Sequence, residues 1–260
     1  MAAGHATPGV IRGVRCLRLA LHLARIGLGA ALIYPFVADT ARQRLKQRWS
    51  RGILETLSIR IEAEQISAPA GCLIVANHVS WLDIFAINSV RPAAFIAKSE
   101  VRRWPFIGWM SARNDTIFLL RGSRGHAAEI NKEIDTRLTH GQDVAFFPEG
   151  MTTDGQQLRP FHGALFQPAI ESDAPILPLA VSYHDSNGER SLAPAYAGST
   201  SLLQCFCTIL ASRTLTIRIR AAHPIAVLGK TRRELADLAR NEIATRLNYQ
   251  ERTSSGEHGT

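Results

Sequence analysis

The segment Asn77-His78-Val79-Ser80-Trp81-Leu82-Asp83 leaves an apolar run, Cys72–Ala76, and opens a helical pattern. Inside a helix, residues five apart point about 140° away from each other. If His78 instead occupies the nonhelical entry and Asp83 the first or second turn, their side chains can meet. An aspartate bonded to one imidazole nitrogen fixes the tautomer and leaves the other nitrogen as a base. That is the base-plus-orienter half of a triad, and it requires no protein nucleophile. Taken alone, a His-x4-Asp spacing is unspecific, and a helix-capping His beside an incidental Asp explains it equally well.

Three further groups sit where strands should end. Phe146-Phe147-Pro148-Glu149-Gly150 leaves one apolar run, and Glu149 followed by Gly150 could accept polyol hydroxyls while leaving the backbone open to substrate. The plain alternative is a turn in which Pro148 and Gly150 supply only geometry. Arg121-Gly122-Ser123-Arg124-Gly125 combines two guanidiniums, small residues and a helix start, which suits an anion. A solvated loop is the competing reading. Lys98 adds a cation after Phe95-Ile96-Ala97. The sequence has no HExxH, GxxxxGK[ST], GxSxG or GxGxxG pattern, so metal, P-loop, serine-hydrolase and dinucleotide chemistries have no support. Cys205-x-Cys207 lies in an apolar stretch and reads as packing or lipid contact, not metal binding.

The elements that must position these groups alternate. Cys72–Ala76, Ala94–Ala97, Thr116–Leu120, Val144–Phe147 and Pro175–Val181 read as strands, nearly continuous in apolar character, as in a mostly parallel sheet buried on both faces. Trp81–Val90, Glu100–Met110, His126–His140 and Gly163–Glu171 read as helices between them. Leu215, Ile217 and Ile219 alternate with Thr216, Arg218 and Arg220, marking a strand with one wet face. A capping box, Thr231-x-x-Glu234, opens a last helix with the stripe Leu235, Leu238, Ala239, Ile243 and Leu247.

The chain has 260 residues, 46% of them hydrophobic and 20% charged, which excludes a disordered protein. Four scattered cysteines do not make a disulfide scaffold and fit a cytoplasm-facing protein. The net charge is +8, and all of the excess lies in residues 1–52, where nine basic residues meet one acid. Within that stretch Ile26–Ala38 is an uncharged run of 13 residues, short of the roughly 20 needed to span a bilayer. Extension back to Leu17 takes in Arg18, His22 and Arg25, which share a helical face. This predicts a helix in the membrane interface, or a shallow helical hairpin. A soluble helical cap, a cleaved signal peptide and a nucleic-acid arm fit less well. The expected organisation is a membrane-anchoring helical segment at 1–52, an α/β domain at 53–250 and a disordered tail at 251–260.

With these residues in order, the sequence resembles the phospholipid and glycerol acyltransferase family, that of bacterial 1-acyl-glycerol-3-phosphate acyltransferases. Asn77-His78-x4-Asp83 matches the family's first motif, and Ile117-Phe118-Leu119-Leu120-Arg121 the second. Phe147-Pro148-Glu149-Gly150 matches the third, and Ala174-Pro175-Ile176-Leu177-Pro178-Leu179 the fourth. The resemblance covers about residues 70–185 and implies an α/β fold with an N-terminal helical membrane element. It implies that His78 deprotonates a lysolipid hydroxyl and Asp83 holds the imidazole. The oxygen then attacks the thioester of acyl-CoA or acyl carrier protein, without a covalent acyl-enzyme. Arg121, Glu149, Gly150 and Lys98 would bind the acceptor, and no metal, redox cofactor or nucleic acid is implied. The implied place is the cytoplasmic face of the inner membrane. Met151-Thr152-Thr153 replaces the Thr-Arg-Ser that usually continues the third motif, removing a bidentate phosphate partner. Lysophosphatidate is the expected acceptor, lyso-ornithine lipid the alternative, and a non-catalytic lipid-binding protein or a soluble thioester hydrolase the readings from other classes.

Overall fold

The computed structural model describes residues 7–104, 107–120 and 124–248. In chain order the elements are α1 (Gly9–Leu32), α2 (Asp39–Thr56), β1 (Ile59–Ala63), β2 (Leu73–Ala76), α3 (Leu82–Val90), β3 (Ala94–Lys98), α4 (Ile107–Arg113), β4 (Ile117–Leu119) and α5 (Arg124–Thr139). They continue with β5 (Val144–Phe146), α6 (Gln167–Glu171), β6 (Ile176–His184), α7 (Leu202–Ala211), β7 (Leu215–Ala221) and α8 (Arg232–Arg246).

The strands form one seven-stranded sheet in the order β1-β7-β6-β2-β5-β3-β4. β6, β2, β5, β3 and β4 are mutually parallel; β7 runs antiparallel to β6, and β1 parallel to β7. The apolar strands are central because helices cover both faces: every residue of β2, β5 and β6 is buried. Alternate residues serve opposite layers. Ile74 and Ala76 pack with Leu54, Leu82, Ile87 and Ile209 of α2, α3 and α7. Leu73 and Val75 pack with Ile134, Ala169, Leu235 and Ile243 of α5, α6 and α8.

The charged stretch before β1 is helical, and α2 runs on through the boundary expected at residue 52 to Thr56. Ile53, Leu54 and Leu57 carry that helix into the core. Arg15 of α1 is buried and donates to the carbonyls of Leu210 (3.1 Å), Ser212 (2.7 Å) and Arg213 (2.8 Å), satisfying the open end of α7. Lys46 of α2 pairs with Asp115 at 3.1 Å, and the Tyr34 hydroxyl donates to the same carboxylate at 2.8 Å. Burial pushes the Lys46 ammonium down, with Asp115 opposing. Burial also works against the Asp115 carboxylate, but Lys46 and Tyr34 outweigh it and hold the carboxyl below its usual range.

The expected shared face of Arg18, His22 and Arg25 is divided. His22 turns inward, its Nε2 3.1 Å from the Trp49 carbonyl oxygen, while both arginines are exposed. The outer face of α1 carries Val10, Val14, Leu17, Leu21, Leu28 and Leu32, all exposed at helical spacing. Gly9–Phe36 is 28 residues long with a stretch of mean hydropathy 1.6, enough by length and composition to cross a membrane. The helix expected over Glu100–Met110 is instead a 3-10 turn, Ser99–Arg103, followed by α4. The chain carries Pro105 between them, and proline has no N–H for a helical ladder. In α8 the stripe is buried except Leu238, which is 40% exposed. The expected tail at 251–260 lies outside the described residues.

Candidate active site

Parallel pairing brings the ends of β2, β5, β3 and β4 to one edge of the sheet, where open α/β sheets bind ligands. β2 ends at Ala76, and the next residues form a bend before α3. Asn77 locks that bend: its side chain donates to the Val181 carbonyl at 2.9 Å and accepts the Val181 N–H at 2.8 Å. The chain then exposes one edge of His78 and turns into α3, placing Asp83 in the first turn.

There His78 and Asp83 meet. His78 Nδ1 lies 2.8 Å from Asp83 Oδ2, which also accepts the N–H groups of Val79 (2.7 Å) and Ser80 (2.9 Å). The Tyr183 hydroxyl donates to the other oxygen, Oδ1. An acceptor fed by two backbone N–H groups is a carboxylate, so Nδ1 carries the proton and donates it. Nε2 is left with a lone pair. Asp83 is fully buried, whereas the His78 side chain is 18% exposed, so the carboxylate is dry and the imidazole is reachable. Phe147 stacks on the imidazole with ring centres 3.8 Å apart and planes 5° apart, fixing the ring's tilt.

Glu149 has a structural part at the same edge. It is buried, and its oxygens accept the backbone N–H groups of His78 (2.9 Å) and Arg159 (3.0 Å). A carboxylate so engaged fastens two loops. Burial pushes its carboxyl above the ordinary value, against the two backbone hydrogen bonds and His78. The Thr153 N–H donates to the His78 carbonyl at 2.8 Å, so the bend is held from both sides. Gly150 has φ +71°, a left-handed conformation that favours glycine, and its N–H closes a tight turn onto the Phe147 carbonyl at 3.1 Å. Thr152 turns its hydroxyl to the Tyr196 carbonyl.

Lys98 is the exposed last residue of β3, on the same sheet edge but two strands from β2, about 10 Å by strand spacing. Arg121, with Gly122 and Ser123, lies outside the described residues; Leu119, two residues before Arg121, ends β4 beside Lys98. The edge thus gathers His78, Asp83, Gly150 and Lys98. Tyr183, the clamp from Asn77 to Val181 and the Phe147 stack were not singled out from sequence. Only Asn77 and Phe147 stood inside a recognised motif.

An α/β sheet with an oriented imidazole at its carboxyl edge and an apolar N-terminal helix defines a class, and the comparisons agree with it. The acyltransferase family model matches residues 58–182. A 1-acyl-sn-glycerol-3-phosphate acyltransferase of Neisseria meningitidis is 40% identical over 207 residues, covering 79% of this chain and 80% of the relative. A lyso-ornithine lipid O-acyltransferase of Pseudomonas aeruginosa is 35% identical over 202 residues, 78% of each chain. The crystal structure of a 1-acyl-sn-glycerophosphate acyltransferase from Thermotoga maritima superposes with a TM-score of 0.66 over 91% of this chain and 96% of that one. At 19% identity that likeness speaks for the fold. The chain belongs to the acyltransferase family and is an O-acyltransferase, which sets aside the non-catalytic binding module.

Proposed function

We propose that the protein acylates the hydroxyl of a lysolipid at a membrane surface, with His78 as general base. Nε2 takes the proton of the acceptor hydroxyl, and the oxygen attacks the thioester carbonyl of acyl-CoA or acyl carrier protein. The new ester C–O bond forms, the C–S bond breaks, and the thiolate leaves with the proton held on His78. Asp83 keeps the imidazole in the correct tautomer and stabilises the imidazolium that forms. No step requires a metal or redox cofactor. The single observation carrying this reading is the 2.8 Å contact between His78 Nδ1 and an Asp83 oxygen already fixed by two backbone N–H groups.

The acceptor we favour is 1-acyl-glycerol-3-phosphate, with Arg121 of the second motif and Lys98 at the end of β3 as its cationic partners. A second reading, lyso-ornithine lipid, draws on Thr152 standing where the family's third motif usually has arginine, and on the Pseudomonas aeruginosa relative. The exposed stripe of α1, flanked by Arg18 and Arg25, would dock on anionic lipid at the cytoplasmic face of the inner membrane. Membranes containing the protein, given labelled acyl donor and a panel of lysolipids, decide the headgroup. Lysophosphatidate should be used at least about tenfold better than an uncharged lysolipid, the value of one charge-assisted hydrogen bond. Equal use of both would remove the phosphate from the account, and free fatty acid as the sole product would turn the reaction into hydrolysis.

A further inference from the structure

The Asp83 carboxylate has two oxygens, and only one touches His78. The other is met from the neighbouring strand, β6. β6 pairs with β2 only as far as Leu179, opposite Ala76, then runs on to His184 with β7 as its remaining partner. That overhang of five residues, about 16 Å of strand, lies alongside the bend that carries His78. Val181 holds Asn77, and Tyr183, two residues further and on the same face, brings its hydroxyl to Asp83 Oδ1. Tyr183 is 2% exposed and packs in the core layer with Val79 and Leu82.

We infer that Tyr183 is a positioning residue of the acyl transfer, setting through Asp83 how basic His78 is. This rests on the reading of His78 as general base. A hydrogen bond to Oδ1 draws charge away from Oδ2 and reduces the pull of Asp83 on the imidazolium. It also stops the carboxylate from rotating, so that Oδ2 stays on Nδ1. Burial, followed by the charge of Asp83 and the bond itself, pushes the Tyr183 hydroxyl well above its ordinary value, so it remains a donor throughout the working range. The other titratable groups near the pair are Glu149, from the turn after β5, and the Cys205 thiol of α7, which burial pushes up and out of the working range. Both side chains are retained in every Tyr183 variant.

The test compares pH profiles of kcat/KM for wild type, Tyr183→Phe, Tyr183 replaced site-specifically by 3,5-difluorotyrosine, and His78→Ala. Loss of the hydroxyl leaves Asp83 with more charge on Oδ2, so the imidazolium is favoured and the acid limb should move up by about half to one pH unit. The fluorinated phenol, a stronger donor, should move it down. In Tyr183→Phe, kcat should fall more than KM changes, with the thermal midpoint showing that the variant is folded. A loss of activity with an unmoved limb in both Tyr183 variants would mean that the residue only packs, and the inference would fail. If His78→Ala retains the wild-type profile, it is the base assignment that fails.

Discussion

At the scale of residues, the bend from Asn77 to Asp83 is held by groups from every neighbouring segment: Val181, Glu149, Thr153, Phe147 and Tyr183. Glu149 is the most exposed to a test, because it is a buried anion whose partners are backbone N–H groups. Its folded value is raised, so its stability contribution is full below the ordinary value of 4.5 and declines as pH rises through the raised value. Glu149→Gln removes that titration. The stability of wild type relative to Glu149→Gln should therefore become less favourable as pH rises above about 4.5, measured by chemical denaturation. Gln has one acceptor oxygen for two N–H donors, so activity should drop about tenfold through the loosened His78 bend. A variant with full activity would show that the bend holds without this staple.

His78 and Asp83 were legible because both lie within one short motif whose spacing has a geometric meaning. Tyr183 was not, since it lies 100 residues from Asp83 in sequence and reaches it only through the order of strands in the sheet. Glu149 was legible as a strand-end carboxylate, but its two backbone partners were not. Nothing in a sequence says which way a carboxylate turns at the end of a strand.

At the scale of elements, the apolar strands and the late amphipathic helix stood out by periodicity. α2 did not, because its charged sequence, Asp39–Thr56, hides the few residues that anchor it, Ile53 and Leu54 among them. β1 escaped for another reason: its five residues lie at the sheet edge and pair with β7, about 150 positions later. α1 shows its logic only when folded. Arg15 and His22 turn inward to bond backbone carbonyls, while Leu17, Leu21, Leu28 and Leu32 turn outward. Replacing Leu17, Leu21 and Leu28 together by Gln should leave the thermal midpoint within a few degrees, since none of the three is in the core. Binding to sedimented anionic vesicles should fall at least about tenfold, given about 1.5 kcal/mol or more for each leucine removed from apolar surroundings. Unchanged vesicle binding would place the membrane contact elsewhere.

At the scale of the molecule, one end of a parallel sheet collects segments spread from residue 77 to residue 183, and the excess positive charge sits in the helical hairpin of α1 and α2. The sequence placed that charge but could not show the hairpin packed on the sheet through Arg15, Lys46 and Ile53. Such long-range contacts leave no local pattern. In the mechanism proposed above, the whole arrangement serves one event, the removal of a proton from an acceptor hydroxyl by an imidazole with one nitrogen occupied. The most direct measurement is the rate of acyl transfer by His78→Ala beside wild type, with labelled donor and saturating lysolipid. The account predicts a loss of about 10²- to 10⁴-fold in kcat with the fold intact. Transfer within a few-fold of wild type would contradict it.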